Sequence, residues 1–136
     1  MDWMMWEPGL TGADKMNQEK TIDEKRQIVN HIIHANTFTR RLKGLMGTKA
    51  LPEDTGLLLE PCNSVHTWHM KYPIDVIYLN SQDQVLHIEP SMPPNTWGKR
   101  VKNAAKVLEI NAGLAAELKI QTGDIIDLDP RGECLR

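Results

Sequence analysis

The sequence predicts a mostly β domain, α+β only at the margin, built as a small barrel-like fold of six to seven short strands with one or two short helices. Three observations carry this. Short runs rich in Ile, Val and Leu recur along the chain, turn residues separate them at close intervals, and no long segment holds a helical period. A barrel is favoured over a sandwich because closure removes the edges that strands as apolar as Leu57-Leu58-Leu59 would expose.

The elements follow in order. Residues 1–26 read as a disordered or loosely ordered tail, because 9–25 are rich in Asp, Glu, Lys, Gln, Asn and Gly and hold little to bury; Met16 is a candidate natural start. The single domain is expected over 27–129, with 130–136 as a C-terminal tail. Residues 27–35 alternate imperfectly and form the first strand. Thr37 then caps a short helix through Arg40, Arg41 and Leu42, which Gly44 and Gly47 end. The turn 51–56 leads into a strand over 57–60. Two further strands, 65–71 and 75–79, are separated by a bend at Tyr72-Pro73, since a proline cannot donate to a ladder. Asn80-Ser81-Gln82-Asp83 is a hairpin turn into the strand 84–89. Residues 90–103 carry three prolines and no period, which makes them the longest internal loop. A strand over 106–110, a helical turn over 112–118, the turn at Gly123-Asp124 and a strand over 125–128 complete the chain.

Composition narrows the function classes. With 136 residues, 40% of them hydrophobic, the chain suits one domain with one core. A formal net charge of -2 supplies no global field for nucleic acid, so nucleic acid is not the expected partner, and any anion site would be local. No apolar run approaches the roughly twenty residues a membrane span needs, so no membrane partner is expected. The N-terminus lacks a basic leader with a long apolar centre, and Cys62 and Cys134 read as reduced thiols; together these predict a cytoplasmic protein. No cofactor is expected, and the partner is an unknown small molecule or protein.

Chemistry-bearing residues crowd into 62–75, which hold two of the five histidines, one of the two cysteines and one of the four tryptophans. If 65–71 is extended, His66, Trp68 and Met70 share one face while Thr67, His69 and Lys71 take the other. One reading is a copper or zinc site through Cys62, His66 and Met70, against which stand the absence of Cys-x-x-Cys spacing and the readiness of Cys and Met to fill core. A second is a Cys–His hydrolase or transferase in which His66 activates Cys62, Asp75 orients the imidazole and amides near Asn63 hold an oxyanion. The third asks least of the sequence. It is a noncatalytic pocket with Trp68 as wall, His66 as hydrogen-bonding tip and Arg41 or Lys71 as charge, although a Trp on a strand is more often core. Apart from this segment, Trp97-Gly98-Lys99-Arg100-Val101-Lys102 sets an aromatic beside three cations, a run that grips phosphate in some proteins and is merely solvated in most.

A family resemblance supplements these readings. Arg41, Gly44-Leu45-Met46-Gly47, Leu51, Gly56-Leu57-Leu58-Leu59, Ser64-Val65-His66-Thr67-Trp68-His69-Met70, Pro73-Ile74-Asp75-Val76, Val107-Leu108-Glu109, Gly113 and Gly123-Asp124 resemble the prokaryotic family called domain of unknown function 192, over about residues 27–128. The resemblance implies a small, mostly β, barrel-like fold and no established reaction. It nominates Arg41, His66, Trp68, Met70 and Asp75 as site residues. Much of the family reads Trp-Met-Lys-Asn-Thr before Pro-Leu-Asp, whereas this chain has Trp68-His69-Met70-Lys71-Tyr72 and then Pro73-Ile74-Asp75, so it resembles a shorter branch and no role of the Asn-Thr pair carries over. Asp75 beside a proline bend has a structural alternative as an acceptor of backbone amides. The chain is thus expected to be a binding or accessory module with a pocket around His66, Trp68 and Arg41. A Cys62–His66 enzyme is the alternative.

Overall fold

Consecutive apolar residues at 57–59, 76–79 and 107–108 leave no polar face on the strands that hold them, so those strands must be covered on both sides. The computed structural model describes residues 24–37, 45 and 47–130. In it the strands are β1 (Lys25–Arg26), β2 (His31–Ala35), β3 (Thr55–Leu59), β4 (Ile74–Leu79), β5 (Val85–Met92), β6 (Lys106–Asn111) and β7 (Ile125–Ile126), with a one-turn helix α1 (Leu114–Glu117) between β6 and β7. Five strands form one sheet in the order β2-β3-β6-β4-β5, in which β2 runs parallel to β3 and the other neighbours are antiparallel. The pair β1 and β7 makes a separate two-stranded parallel sheet.

The mostly β class is as the sequence predicts, but the sheet does not close into a barrel. A barrel strand alternates between a packed interior and an outer face. Here every residue of β3 and β4 is buried, and two apolar layers sandwich the sheet between them. Ile74, Val76 and Tyr78 point into a layer with Leu57, Leu59, Val107, Leu45, Leu51, Val65 and Met70. Ile77 and Leu79 point into the other, with Leu58, Leu108, Ile110, Val29, Ala115, Ile120 and Ile126. Gly56 keeps the second layer close, because a Cβ there would lie 3.0 Å from Leu108 Cδ1. The open edges are β2 and β5. Strand β5 runs through Pro90, which the predicted boundary at residue 89 excluded; a proline is tolerated at an edge, where no neighbour needs its missing N–H.

Other boundaries shift for local reasons. Residues 65–71 are not a strand. Only His66 pairs, in a single antiparallel bridge to Trp97, after which the Met70 amide donates to the Thr67 carbonyl at 3.2 Å and His69 takes a φ of 63°, which turns the chain. Lys25–Arg26, expected at the end of the loose tail, pair with Ile125–Ile126, and Arg26 donates to the Leu118 and Lys119 carbonyls and to Asp124 Oδ2 (3.0 Å). The predicted helix of Arg40, Arg41 and Leu42, and Cys134, lie outside the described residues.

Asp75 sits fully buried on β4 and reaches the second layer. Its Oδ2 accepts the Gly113 and Ala115 amides at 3.1 and 2.9 Å, and its Oδ1 accepts the Ser91 amide at 2.7 Å. Helix α1 has no side-chain cap of its own, so a carboxylate from the central sheet satisfies its orphan amides. This accounts for Asp75 by structure: its oxygens are spent on amides of the layer opposite Val65 and Met70, which disagrees with an orienting role beside Cys62 and His66. Asp75→Ala leaves three amides without their acceptor and is expected to cost about 3 kcal/mol or more in urea unfolding, with Asp75→Asn recovering part of the loss.

Candidate functional site

Two irregular segments, 61–73 and 93–105, lie over the first layer and are tied together through Thr67. The Thr67 side chain is inaccessible to solvent; its hydroxyl donates to the Pro93 carbonyl at 2.6 Å and accepts the Thr96 amide at 2.9 Å. Its backbone amide donates to the Thr96 carbonyl at 2.9 Å, and its carbonyl accepts the Asn95 amide at 2.8 Å. Farther along, the Gly98 amide donates to the Val65 carbonyl (2.8 Å) and the Val101 amide to that of Asn63 (3.0 Å). Gly98 is required by this approach, because a Cβ would come within 2.9 Å of both the Val65 carbonyl and the Tyr78 hydroxyl.

The clamp presents three rings outward. His66, Trp68 and Trp97 touch one another, with centroids 5.6 Å (His66–Trp68), 5.8 Å (His66–Trp97) and 4.8 Å (Trp68–Trp97) apart and interplanar angles of 52°, 71° and 66°. Tilted and edge-to-face pairing of this kind suits the ring quadrupoles. Trp97 is 68% exposed and Trp68 42%, values far from the core role a tryptophan usually has. The three rings pack against one another as an exposed aromatic knob.

Met70 is buried in the first layer and does not join the rings. Cys62 is half-buried against that layer and its Sγ donates to the Ser64 carbonyl at 3.0 Å, while His66 Nδ1 accepts the Trp68 amide at 3.3 Å. Met70 turns inward where an extended strand would have kept it beside His66, and it shares the first layer with Cys62; among the described residues no group of three or more His, Cys, Asp or Glu could hold a metal ion. Lys71 is exposed, and Arg41 lies outside the described residues. No helix among the described residues is long and apolar enough to cross a membrane.

Beneath the segments lies a group the sequence reading passed over. Glu109 is on β6, opposite Leu57 on one side and Val76 on the other, and its Oε1 is buried without a hydrogen-bond partner. Burial pushes its carboxyl up to about 8, so it is protonated at neutral pH. Its signal in the sequence was a lone acid in the apolar run Val107-Leu108-Glu109-Ile110. Nearby, Tyr78 donates to Glu89 Oε1 at 2.5 Å, an oxygen that also accepts the Lys99 amide at 3.1 Å. Burial first, and the Glu89 carboxylate second, raise the Tyr78 hydroxyl above its ordinary range. Burial likewise raises Tyr72, which shares a 2.7 Å hydrogen bond with Thr48.

Residues 18–128 match the family model described as DUF192, Uncharacterized ACR. The chain belongs to this family. Two UPF0127 proteins are similar to this DUF192 member: one from Thermococcus kodakarensis, 30% identical over 107 residues (73% of this chain), and one from Thermococcus sibiricus, 33% identical over 109 residues (73%). The chain covers 65% and 66% of their lengths, just under two thirds. Among solved structures, a protein of unknown function from Novosphingobium aromaticivorans superposes with a TM-score of 0.64 at 27% identity, covering 71% of this chain and 73% of its own. A second, from Sinorhizobium meliloti, has a TM-score of 0.64 at 23% identity over 69% and 78%, a likeness of fold alone. The family model is described as uncharacterized and the Novosphingobium aromaticivorans structure as a protein of unknown function.

The Glu109 carboxyl sets a pH dependence with a definite sign. Its folded value lies above the ordinary 4.5, so the stability associated with it is complete below pH 4.5 and is lost as pH rises toward about 8, because the unfolded chain releases the proton first. Urea unfolding across that window should show a decline of roughly 1.4 kcal/mol per pH unit from this group. Glu109→Gln should flatten it; an unchanged slope would place the titration elsewhere.

Proposed function

We propose that this DUF192 protein is a noncatalytic binding or accessory module whose contact surface is the cluster of His66, Trp68 and Trp97. One observation carries the reading. Two tryptophans stand exposed, held by a buried threonine and a glycine contact that fix the backbone beneath them. Exposing large rings on a soluble face is unfavourable unless something covers them, and Trp is the side chain most concentrated at energetic centres of interfaces. Exposed cations on the same two segments, Lys71, Lys99, Arg100 and Lys102, flank the rings along the chain and add positive charge to this surface.

A Cys62–His66 reaction has less support: Cys62 donates to Ser64 and His66 accepts from Trp68, leaving neither group poised toward a shared substrate position.

The reading separates from a structural role by experiment. Trp68→Ala and Trp97→Ala are each expected to change unfolding free energy by less than about 1 kcal/mol, as exposed positions do. The same substitutions should lower capture of partners by the immobilised full chain, from a lysate of its source organism, at least about tenfold. Capture indifferent to both rings, or a stability loss of several kcal/mol, would return the tryptophans to the fold.

A further inference from the structure

We propose that the aromatic knob docks into a hollow on a second copy of this chain, so that the protein self-associates through two different patches. This rests on the reading of the knob as a contact surface and names its partner.

The two knob segments carry charge of one sign, although the Glu89 carboxylate accepts the Lys99 amide beside them. Residues 61–73 and 90–105 contain no Asp or Glu, yet they hold Lys71, Lys99, Arg100 and Lys102, all exposed. Among the described residues none of these four side chains makes an ion pair. The chain as a whole is slightly acidic, at -2, so the compensating charge lies elsewhere on its surface.

Part of that charge surrounds a hollow of about 580 Å³. Ile28, Leu51 and Leu114 give it apolar walls, and Glu53, Asp54 and Glu117 stand around them. All three acids are exposed, and Glu53 and Glu117 make no ion pair among the described residues. Asp54 is held ionised by the Asn30 side chain and amide, at 2.7 and 3.0 Å. The hollow shares no residue with the knob, and its walls draw on both layers, Ile28 and Leu114 from the second and Leu51 from the first. Its volume lies within the range of cavities that hold a drug-sized ligand, ample for one indole.

Size and charge therefore match: an exposed indole flanked by cations against an open hollow flanked by acids, in which Ile28, Leu51 and Leu114 offer apolar contact. Like-signed surfaces of two copies repel in any other pairing of these patches, which gives the contact a single register. Because the patches differ, one contact leaves a free knob on one copy and a free hollow on the other. Assembly then grows with concentration unless the geometry lets two copies exchange both contacts at once.

Sedimentation of the full chain, from micromolar to millimolar concentration, tests this. The weight-average mass should rise above the 15.5 kDa of one chain, and should fall back toward it in high salt, which screens the rims. Trp97→Ala, Lys99→Glu with Arg100→Glu, and Glu53→Lys with Glu117→Lys should each weaken association at least about tenfold. Mixing the two charge-reversed chains should restore association between them, a result that misfolded variants would not give. A chain that stays monomeric throughout, or association indifferent to Trp97 and to both charge reversals, overturns the proposal. In that event, lysate capture that still depends on Trp97 would keep the contact-surface reading and assign it another partner. Loss of that capture as well would remove both.

Discussion

The antiparallel pairing of β4 with β6 is the constraint on which the rest of the molecule depends. Six residue pairs, from Ile74 with Asn111 to Leu79 with Lys106, place two strands at the centre of the sheet, and β4 is buried along its whole length. Burial on both faces forces two covering layers, and the irregular segments supply them: 61–73 and 93–105 on one side, α1 and β7 on the other. Backbone polar groups in such covers need partners of their own. Asp75 meets that need on one face, by accepting amides from α1 and from Ser91, and Thr67 meets it on the other, by joining the two segments.

These two buried polar residues have different consequences for function. Asp75 fixes a helix to the sheet and has nothing left to offer a substrate. Thr67 fixes a pair of loops whose neighbouring side chains, His66 and Trp68, then have only one direction to take, which is outward to Trp97. Rigid backbone beneath exposed rings lowers the entropy lost when a partner orders them. Glu109 stands apart: an orphan acid on the central strand pair is unfavourable for folding, and it stays tolerable near neutral pH because it keeps its proton.

Much of the strand pattern was legible. The runs at 57–59, 75–79 and 106–110 are where β3, β4 and β6 lie, and the Asn80 turn joins β4 to β5 as its residues imply. The sheet stays open where the sequence predicts a closed barrel, because Leu57-Leu58-Leu59 cannot alternate between faces, and three consecutive buried residues mean two covers. Val, Thr and Trp favour strands at 65–71, but the chain turns through the Met70 amide on the Thr67 carbonyl and is held there by Asn95 and Thr96, partners 26 to 29 positions away that no local window contains. The alternation puts His66 and Trp68 together, whereas their third member, Trp97, joins them across two loops, a pairing that leaves no spacing signature. Met70 was assigned to the site by an alternation that His69, at positive φ, interrupts.

The small parallel pair of β1 with β7 carries a kinetic meaning. It joins Lys25 to Ile125, positions a hundred residues apart in the chain, through two residue pairs and the Arg26 guanidinium. So few contacts cannot offset the entropy of closing so long a loop unless the intervening sheet has already drawn the ends together. The clasp therefore belongs to the last stage of folding and to the first of unfolding. Its opening would free β1, while β7 stays tied to the β4–β5 turn through the Ile126 amide on the Asp83 carbonyl and the Gly123 amide on the Val85 carbonyl.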